Sequence, residues 1–368
     1  MLRPLLLALL LAAPAMGGAA PSDAPLGVLT PGTFRSLFLD LPLADARGAA
    51  APALDVRWWL ANDWSRPTEL QRGGRSVMVQ DDVQTDALQL SLTLPWRRLL
   101  DGPLARRLTT TVEARLLERW GGWTDRPIEA WHSLVGSWNF QRELYPRDAI
   151  NVVLAEPGGR TLADVHSPRF AVGDLALRTA LRLAGPEPGE DGEAPWAIAL
   201  RLDLKVPLGS VSSLGGSGGF DAGAGLAASA ALLPWLTGHG LVSLRTVSDL
   251  PGGFPLQPRR FQAGLDLSLV ARVGAHVALL LEDRLSTPLV EDGWSLPPGT
   301  LEPEATAVYA LTKARNQISG GVRIGSVTIF LQEDFTIGPR LPTDPGPSWF
   351  YDSNDPDLVL GLAWAGRL

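Results

Sequence analysis

No cysteine occurs in the 368 residues. Structural disulfides, thiolate metal sites and a cysteine nucleophile are excluded, and so is a lipid-anchored mature N-terminus, which needs a cysteine after its signal. Lysine is nearly absent too. Of 32 basic residues only Lys205 and Lys313 are lysine, so cationic sites here are arginine sites. The formal charge is −7 and no basic patch suits a phosphate backbone, so nucleic acid is not an expected partner. Past the N-terminus, no segment reaches the ~18 consecutive apolar residues of a membrane helix. The nearest, "GLAASAALLPWL" (225–236), is short and contains a proline. The four histidines, His132, His166, His239 and His276, are scattered without metal-ligand spacing, and neither metal nor cofactor is expected. "SSLGGSGGFDAGAG" (212–225) lacks the lysine of a phosphate loop and reads as an outer loop entering a strand of small residues.

Against these absences stand 39 glycines, 31 prolines and 13 tryptophans beside only three tyrosines. Frequent turns follow from the first two, and tryptophan favours surfaces where lipid meets water. The N-terminus, "MLRPLLLALLLAAPAMGGAA", has one positive charge, an apolar run from Leu5 to Ala13 and small residues up to Ala20. That is the layout of a secretory signal over 1–20, so export is expected. Residues 21–52 then read as a periplasmic segment preceding the main domain.

The dominant pattern downstream has period two. "DALQLSLTLPW" sets Leu88, Leu90, Leu92 and Leu94 against Ala87, Gln89, Ser91 and Thr93. "WAIALRLDLKVP" sets Trp196, Ile198, Leu200, Leu202, Leu204 and Val206 against Ala197, Ala199, Arg201, Asp203 and Lys205. Such alternation is the strand signature. About twelve strands are predicted between 53 and 368, several longer than the five or six residues usual in soluble sheets. Connections near 96–105, 185–193, 234–237, 273–274 and 325–326 are short to medium, and the others are mostly longer. Short turns at one end and long loops at the other is the habit of outer-membrane barrels. Lipid offers backbone groups no partner, so an exported chain without a long apolar helix crosses it as a closed sheet. The fold class is therefore all-β: a transmembrane antiparallel β-barrel of about 12 strands over 53–368. A soluble β-sandwich is the competing architecture.

The barrel reading sorts the side chains. Trp96, Trp196 and Trp235 fall beside short turns and would form an aromatic girdle. Trp64, Trp120, Trp294 and Trp349 lie in or beside long loops and could serve the other. Opposite the apolar faces stand Glu113, Arg115, Arg178, Arg182, Arg201, Asp203, Lys205, Asp266, Arg272, Arg323, Asp334 and Arg367, which would line the lumen. Both signs occur, so ion pairs across the interior are as natural as a selective path. An open pore and a stuffed barrel both remain possible at this width. The last strand, "DLVLGLAWAGRL", runs to the final residue but ends in Leu368 where barrels usually carry an aromatic.

Three stretches resemble an uncharacterised proteobacterial outer-membrane family catalogued as domain of unknown function 3187. They are "LDVRWWLANDWSR" (54–66), "GGWTDRPIEAWHSLVG" (121–136) and "FLQEDFTIGPRLPTD…DPDLVLGLAW" (330–364). The resemblance implies an outer-membrane barrel in a Gram-negative bacterium and no established activity. The second stretch is the most distinctive. Asp125 can cap a helix there, with Pro127 in the first turn. Ile128, Trp131, Leu134 and Val135 then form an apolar stripe, and Glu129, His132 and Ser133 fall towards the other side. This is a short amphipathic helix in the longest loop, expected at the membrane interface. His132 beside Ser133 invites a lipid-hydrolase reading, but adjacent helix residues point about 100° apart and do not face each other.

The sequence thus points to an outer-membrane protein that is not an enzyme and acts as a narrow pore or facilitator for small solutes. A closed structural or binding barrel presenting long loops is the alternative, and a barrel lipid hydrolase ranks below both. Its expected partners are outer-membrane lipid, the barrel-assembly machinery during biogenesis and an unidentified small solute.

Overall fold

The computed structural model describes residues 22–27, 30–135, 142–187, 194–297, 311–337, 350–352 and 358–367. Twelve antiparallel strands close on themselves. They are β1 (Ala53–Trp64), β2 (Arg75–Pro95), β3 (Leu108–Trp120), β4 (Leu175–Ala184), β5 (Trp196–Val206), β6 (Asp221–Leu233), β7 (Leu236–Thr246), β8 (Phe261–Arg272), β9 (Val277–Ser286), β10 (Ala314–Ile324), β11 (Val327–Ile337) and β12 (Leu358–Arg367). Each pairs with the next, and β12 returns to β1 with Leu54 opposite Gly366 and Leu60 opposite Leu360. The closure leaves no free edge, as a sheet in lipid requires.

The radial pattern is inverted relative to a soluble protein. Outward positions carry Leu202 (55% exposed), Leu226 (52%), Val242 (62%) and Leu281 (55%). Inward positions carry buried Arg201, Asp203, Asp266, Arg284, Arg315 and Asp334. A band of bare leucine and valine around a polar interior is stable only where the surroundings are themselves apolar. The chain is a membrane-spanning β-barrel. Turns 96–107, 234–235, 273–276 and 325–326 gather at one end with the strand ends at Ala184 and Trp196, and the strand ends that lead into the longer loops lie at the other.

At the short-turn end lie Trp196 (45% exposed), Trp235 (52%) and the half-buried Trp96, whose indole Nε1–H donates to Thr110 Oγ1 at 2.8 Å. Of the other expected set, Trp64 and Trp294 are buried, Trp120 is half-buried, and Trp349 lies outside the described residues. Trp64 and Trp294 go inward because the long loops build their own core. β2 runs beyond the barrel, where Thr68–Arg72 and Asn151–Ala155 flank it and Thr161–Val165 adds to the latter. Leu70, Val77, Val79, Val152, Leu154 and Val165 from this annex pack with Leu250, Phe254, Leu289 and Trp294 from other loops. The result is an apolar dome over the long-loop mouth.

Candidate functional site: the filled lumen

The segment expected to stand apart as a periplasmic piece, 21–52, is placed inside the barrel in its described part. Its apolar residues explain this. Leu26, Phe34, Leu37, Phe38, Leu39, Leu41 and Leu43 are all buried, and no soluble partner is needed to cover them. The segment rises and returns. Near the short-turn end, Ser22 and Ala24 carbonyls accept from Arg323 Nη1 at 2.6 and 2.8 Å. Halfway up, Gly27 N–H donates to Glu282 Oε1 at 2.8 Å. At the long-loop end, Thr33 Oγ1 donates to Asp63 Oδ2 at 2.7 Å, and Phe34, Leu37 and Phe38 enter the dome. On the way back, Leu39 N–H donates to Asp221 Oδ2 at 2.7 Å, Arg201 donates to the Pro42 carbonyl, and Ala46 N–H donates to Ser229 Oγ at 2.9 Å. The Ala50 carbonyl accepts from Arg97 Nη2 at 2.9 Å, back at the turn that begins with Trp96.

The wall makes room for this hairpin. The inward positions of β6 are Asp221, Gly223, Gly225, Ala227 and Ser229, and β5 adds Ala197 and Ala199. A Cβ on Gly223 would stand 2.7 Å from Leu41 Cδ1, so a larger residue there would push the Leu41 side chain aside. Leu43 and Ala46 pack against Ala197, Ala199, Ala227 and Leu241.

Charged residues supply the plug's remaining hydrogen bonds. Arg178 joins Glu113 (3.1 Å) to Asp203 (2.8 Å) and donates to the Asp40 carbonyl. Arg115 pairs with Glu113 at 2.7 Å, and Arg201 with Asp203 at 2.8 Å. Lys205 reaches Asp174 (2.7 Å), Asp221 (3.2 Å) and the Leu37 carbonyl (3.0 Å). Arg284 meets Asp40 at 2.5 Å and Asp266 at 3.2 Å, and Arg315 meets Asp334 at 2.9 Å. Arg182 donates to the Pro186 carbonyl, and Arg272 stands 3.6 Å from Asp23. All the lumen residues expected from sequence face inward except Arg367, whose side chain is outside the description. They hold a peptide as much as one another, which the strand pattern alone does not reveal. Sequence reasoning also missed Asp40, Glu282, Arg284 and Arg245 as interior partners. Burial opposes the ionisation of Asp40, but the Arg284 and Arg245 guanidiniums outweigh it and hold the carboxyl well below the ordinary range. Asp23 is likewise lowered against its burial, chiefly by Arg47.

One serine–histidine pair does occur in the interior. His239 Nδ1 lies 2.8 Å from Ser229 Oγ, and Nε2 lies 2.8 Å from the Asp23 carbonyl. A carbonyl only accepts, so Nε2 carries the proton and Nδ1 accepts from the serine hydroxyl. Ser229 also receives the Ala46 N–H, so the pair clasps both limbs of the plug.

The stretch 121–136 has a different job. Helix α1 (Asp125–Val135) forms as expected, with Pro127 in its first turn, but Thr124 precedes it and Asp125 lies inside it. By register, Asn62, Gln84, Asp86 and Trp120 share the face of β1–β3 that carries the outward Leu88, Leu90 and Leu92. Polar groups on that face need covering. Asn62 Nδ2 donates to Thr124 Oγ1 (2.8 Å) and Asp125 Oδ1 (3.1 Å). Thr124 Oγ1 donates to Gln84 Oε1 at 2.9 Å, and Trp120 Nε1 to Asp86 Oδ2 at 2.8 Å. Asp125 also accepts from Asp148 N–H (2.6 Å) and pairs with buried Arg142. The two glycines fit this close approach. Gly122 has φ +81° with Gln84 against its α-carbon, and a side chain on Gly121 would collide with the Asp148 carbonyl. Ile128 is buried, whereas Trp131, Ser133 and Leu134 are exposed. The side chains of His132 and Val135 lie outside the described residues.

No family model matches the chain, and no curated protein does. Among solved structures, the chain is similar to an outer-membrane channel from Pseudomonas putida F1, at 13% identity and TM-score 0.45, over 89% of this chain and 97% of that one. The monoaromatic hydrocarbon channel CymD shows 11% identity and TM-score 0.39, over 95% and 98%. The P. putida toluene transporter TodX shows 8% identity and TM-score 0.37, over 88% and 91%.

Proposed function

We propose that this protein is a gated facilitator for small solutes, closed in the state described by its own N-terminal hairpin. The carrying observation is that a separate piece of chain runs through the lumen beside the wall's own charged side chains and is held by them. Ala197 and Ala199 of β5 and Gly223, Gly225, Ala227 and Ser229 of β6 are small inward residues that leave space to the hairpin. A barrel built only to be closed could fill this width with long side chains. The hairpin is held largely by side-chain-to-backbone hydrogen bonds, each of which water can replace once it moves. Transport is the activity supported. The interior Ser229–His239 pair is spent on the plug, which argues against hydrolysis there.

A tether tests the gate. The native chain has no cysteine, so Ala46→Cys with Ser229→Cys introduces one bridge between the plug and β6, where Ala46 N lies 2.9 Å from Ser229 Oγ. The refolded protein in a planar bilayer should show discrete conductance steps when reduced and lose them when oxidised. Steps that ignore the bridge would remove the plug from the gating role. A folded wild-type barrel that stays silent under all conditions would favour the alternative, a closed barrel that presents its loop dome.

A further inference from the structure

Helix α1 is seated on the outer wall, and the surface it leaves uncovered is itself sorted. Thr124, Asp125 and Ile128 form the buried side, the first two bonded to Asn62 on the outer face of β1. Successive helix residues turn by about 100°. Pro127, Trp131 and Leu134 therefore fall on one flank of the buried side, and Arg126, Glu129 and Ser133 on the other. The first flank is apolar and exposed, Leu134 to 79%. The second is polar. Neighbouring contacts give each flank its direction. Glu129 pairs with Arg147 at 2.6 Å, and the next amide, Asp148 N–H, donates to Asp125 Oδ2 at 2.6 Å. From there the chain enters the annex at Asn151, opposite Asp82, where β2 continues past the end of β3. The polar flank therefore faces the annex. The apolar flank faces the other way, back along the wall. Towards the short-turn end of that wall, beyond Gln84, come the outward Leu88, Leu90 and Leu92. Beside β3, the strand Arg169–Val172 sets Phe170 opposite Glu118 and Val172 opposite the outward Leu116, and both are exposed. Trp123, just ahead of the helix, is exposed too.

We propose that α1 lies in the lipid surface on the long-loop side of the bilayer, with Pro127, Trp131 and Leu134 dipped among the acyl chains and Arg126, Glu129 and Ser133 in water. The occupant of this face is the lipid itself, and continuity argues for it. The apolar flank borders a wall whose leucines already meet acyl chains, and Phe170 and Val172 extend the same surface beside it. A helix whose two flanks differ in this way is at rest where the solvent changes from hydrocarbon to water. Tryptophan suits that depth, with an apolar body and one N–H donor. The aromatic girdle that Trp64 and Trp294 do not supply at this end is made by Trp123, Trp131 and Phe170. The inference is independent of the transport reading, because it rests on the outer wall and not on motion of the plug.

The chain has no cysteine, so a single introduced cysteine carries a nitroxide label to a chosen position. Leu134→Cys on the apolar flank is compared with its neighbour Ser133→Cys on the polar flank, and Leu90→Cys marks the wall. Each full-length exported protein is refolded into vesicles of phosphatidylcholine and phosphatidylglycerol, and heat-shifted gel mobility confirms that it folds. Dissolved oxygen concentrates in lipid and a nickel chelate stays in water, so the ratio of their collisions with the label reads its depth. That ratio should be severalfold higher at 134 than at 133, and highest at 90. Position 134 should lie ~5–10 Å inside the boundary. Equal ratios at 133 and 134 would put both flanks in one solvent and overturn the proposal. A label at 134 shielded from both reagents would mean that protein, not lipid, covers the flank, and would overturn it as well.

Discussion

Asp125 concentrates several demands in one carboxylate. It receives Asn62, Arg142 and the Asp148 amide, and so ties the 121–148 loop to the outer face of β1–β3. Removing one partner of a buried pair costs on the order of 3–5 kcal/mol, because the other charge is stranded. Asp125→Ala should therefore loosen the loop without opening the barrel. Hydrogen exchange within 121–148 should speed up while β7–β9 stay protected, and unchanged exchange in the loop would refute the anchoring role. Asp40 makes a pH-dependent contribution. Its carboxyl is held below the ordinary range in the folded protein, so its stabilisation is complete above an unfolded value of about 3.9. That contribution fades as pH falls below about 4 and the carboxylate takes up a proton. Limited proteolysis of 30–52 should rise in that acidic window, and Asp40→Asn should already be susceptible at pH 7 with a flatter response.

Among the elements, β6 is the most informative. Its outward face carries Ala222, Ala224, Leu226 and Ala228, and beyond Asp221 its inward face is glycine, alanine and serine up to Ser229. The inward face has meaning only with the returning limb against it. Gly223→Val should displace Leu41 and expose Arg47 to trypsin, while the heat shift of the barrel persists. Protection equal to wild type would mean that the limb does not depend on this gap. The twelve strands were legible because alternation is local: a residue's face is set by its neighbours two positions away. The hairpin was not. Leu37, Leu39, Leu41 and Leu43 alternate like a strand, yet their partners lie far off in sequence, as Gly27 and Glu282 do. The small inward face of β6 was the available clue, and it reads equally well as an entry to a flexible loop. Trp64 and Trp294 misled for a related reason. Loop position suggests a girdle, but the loops fold into a dome that buries them.

For the whole molecule, the inverted radial pattern decides the solvent. Leu281 sits in mid-strand on the outer face of β9, 55% exposed. Leu281→Arg would be nearly neutral on a water-facing surface. In a bilayer it should cost ~2–4 kcal/mol, read by denaturant unfolding in lipid vesicles. An insensitive site would place this face outside the hydrocarbon.

The path of the hairpin also constrains assembly. Residues 22–24 and 46–52 both lie at the short-turn mouth, and only the bend between them reaches the dome. Along its described residues the segment enters and leaves the lumen by the same mouth, so that part needs no threading. The seam between β1 and β12 can therefore zip shut around an empty bore. The hairpin can then fold up into it from one side, like a finger into a glove, and withdraw by the same route without parting the seam.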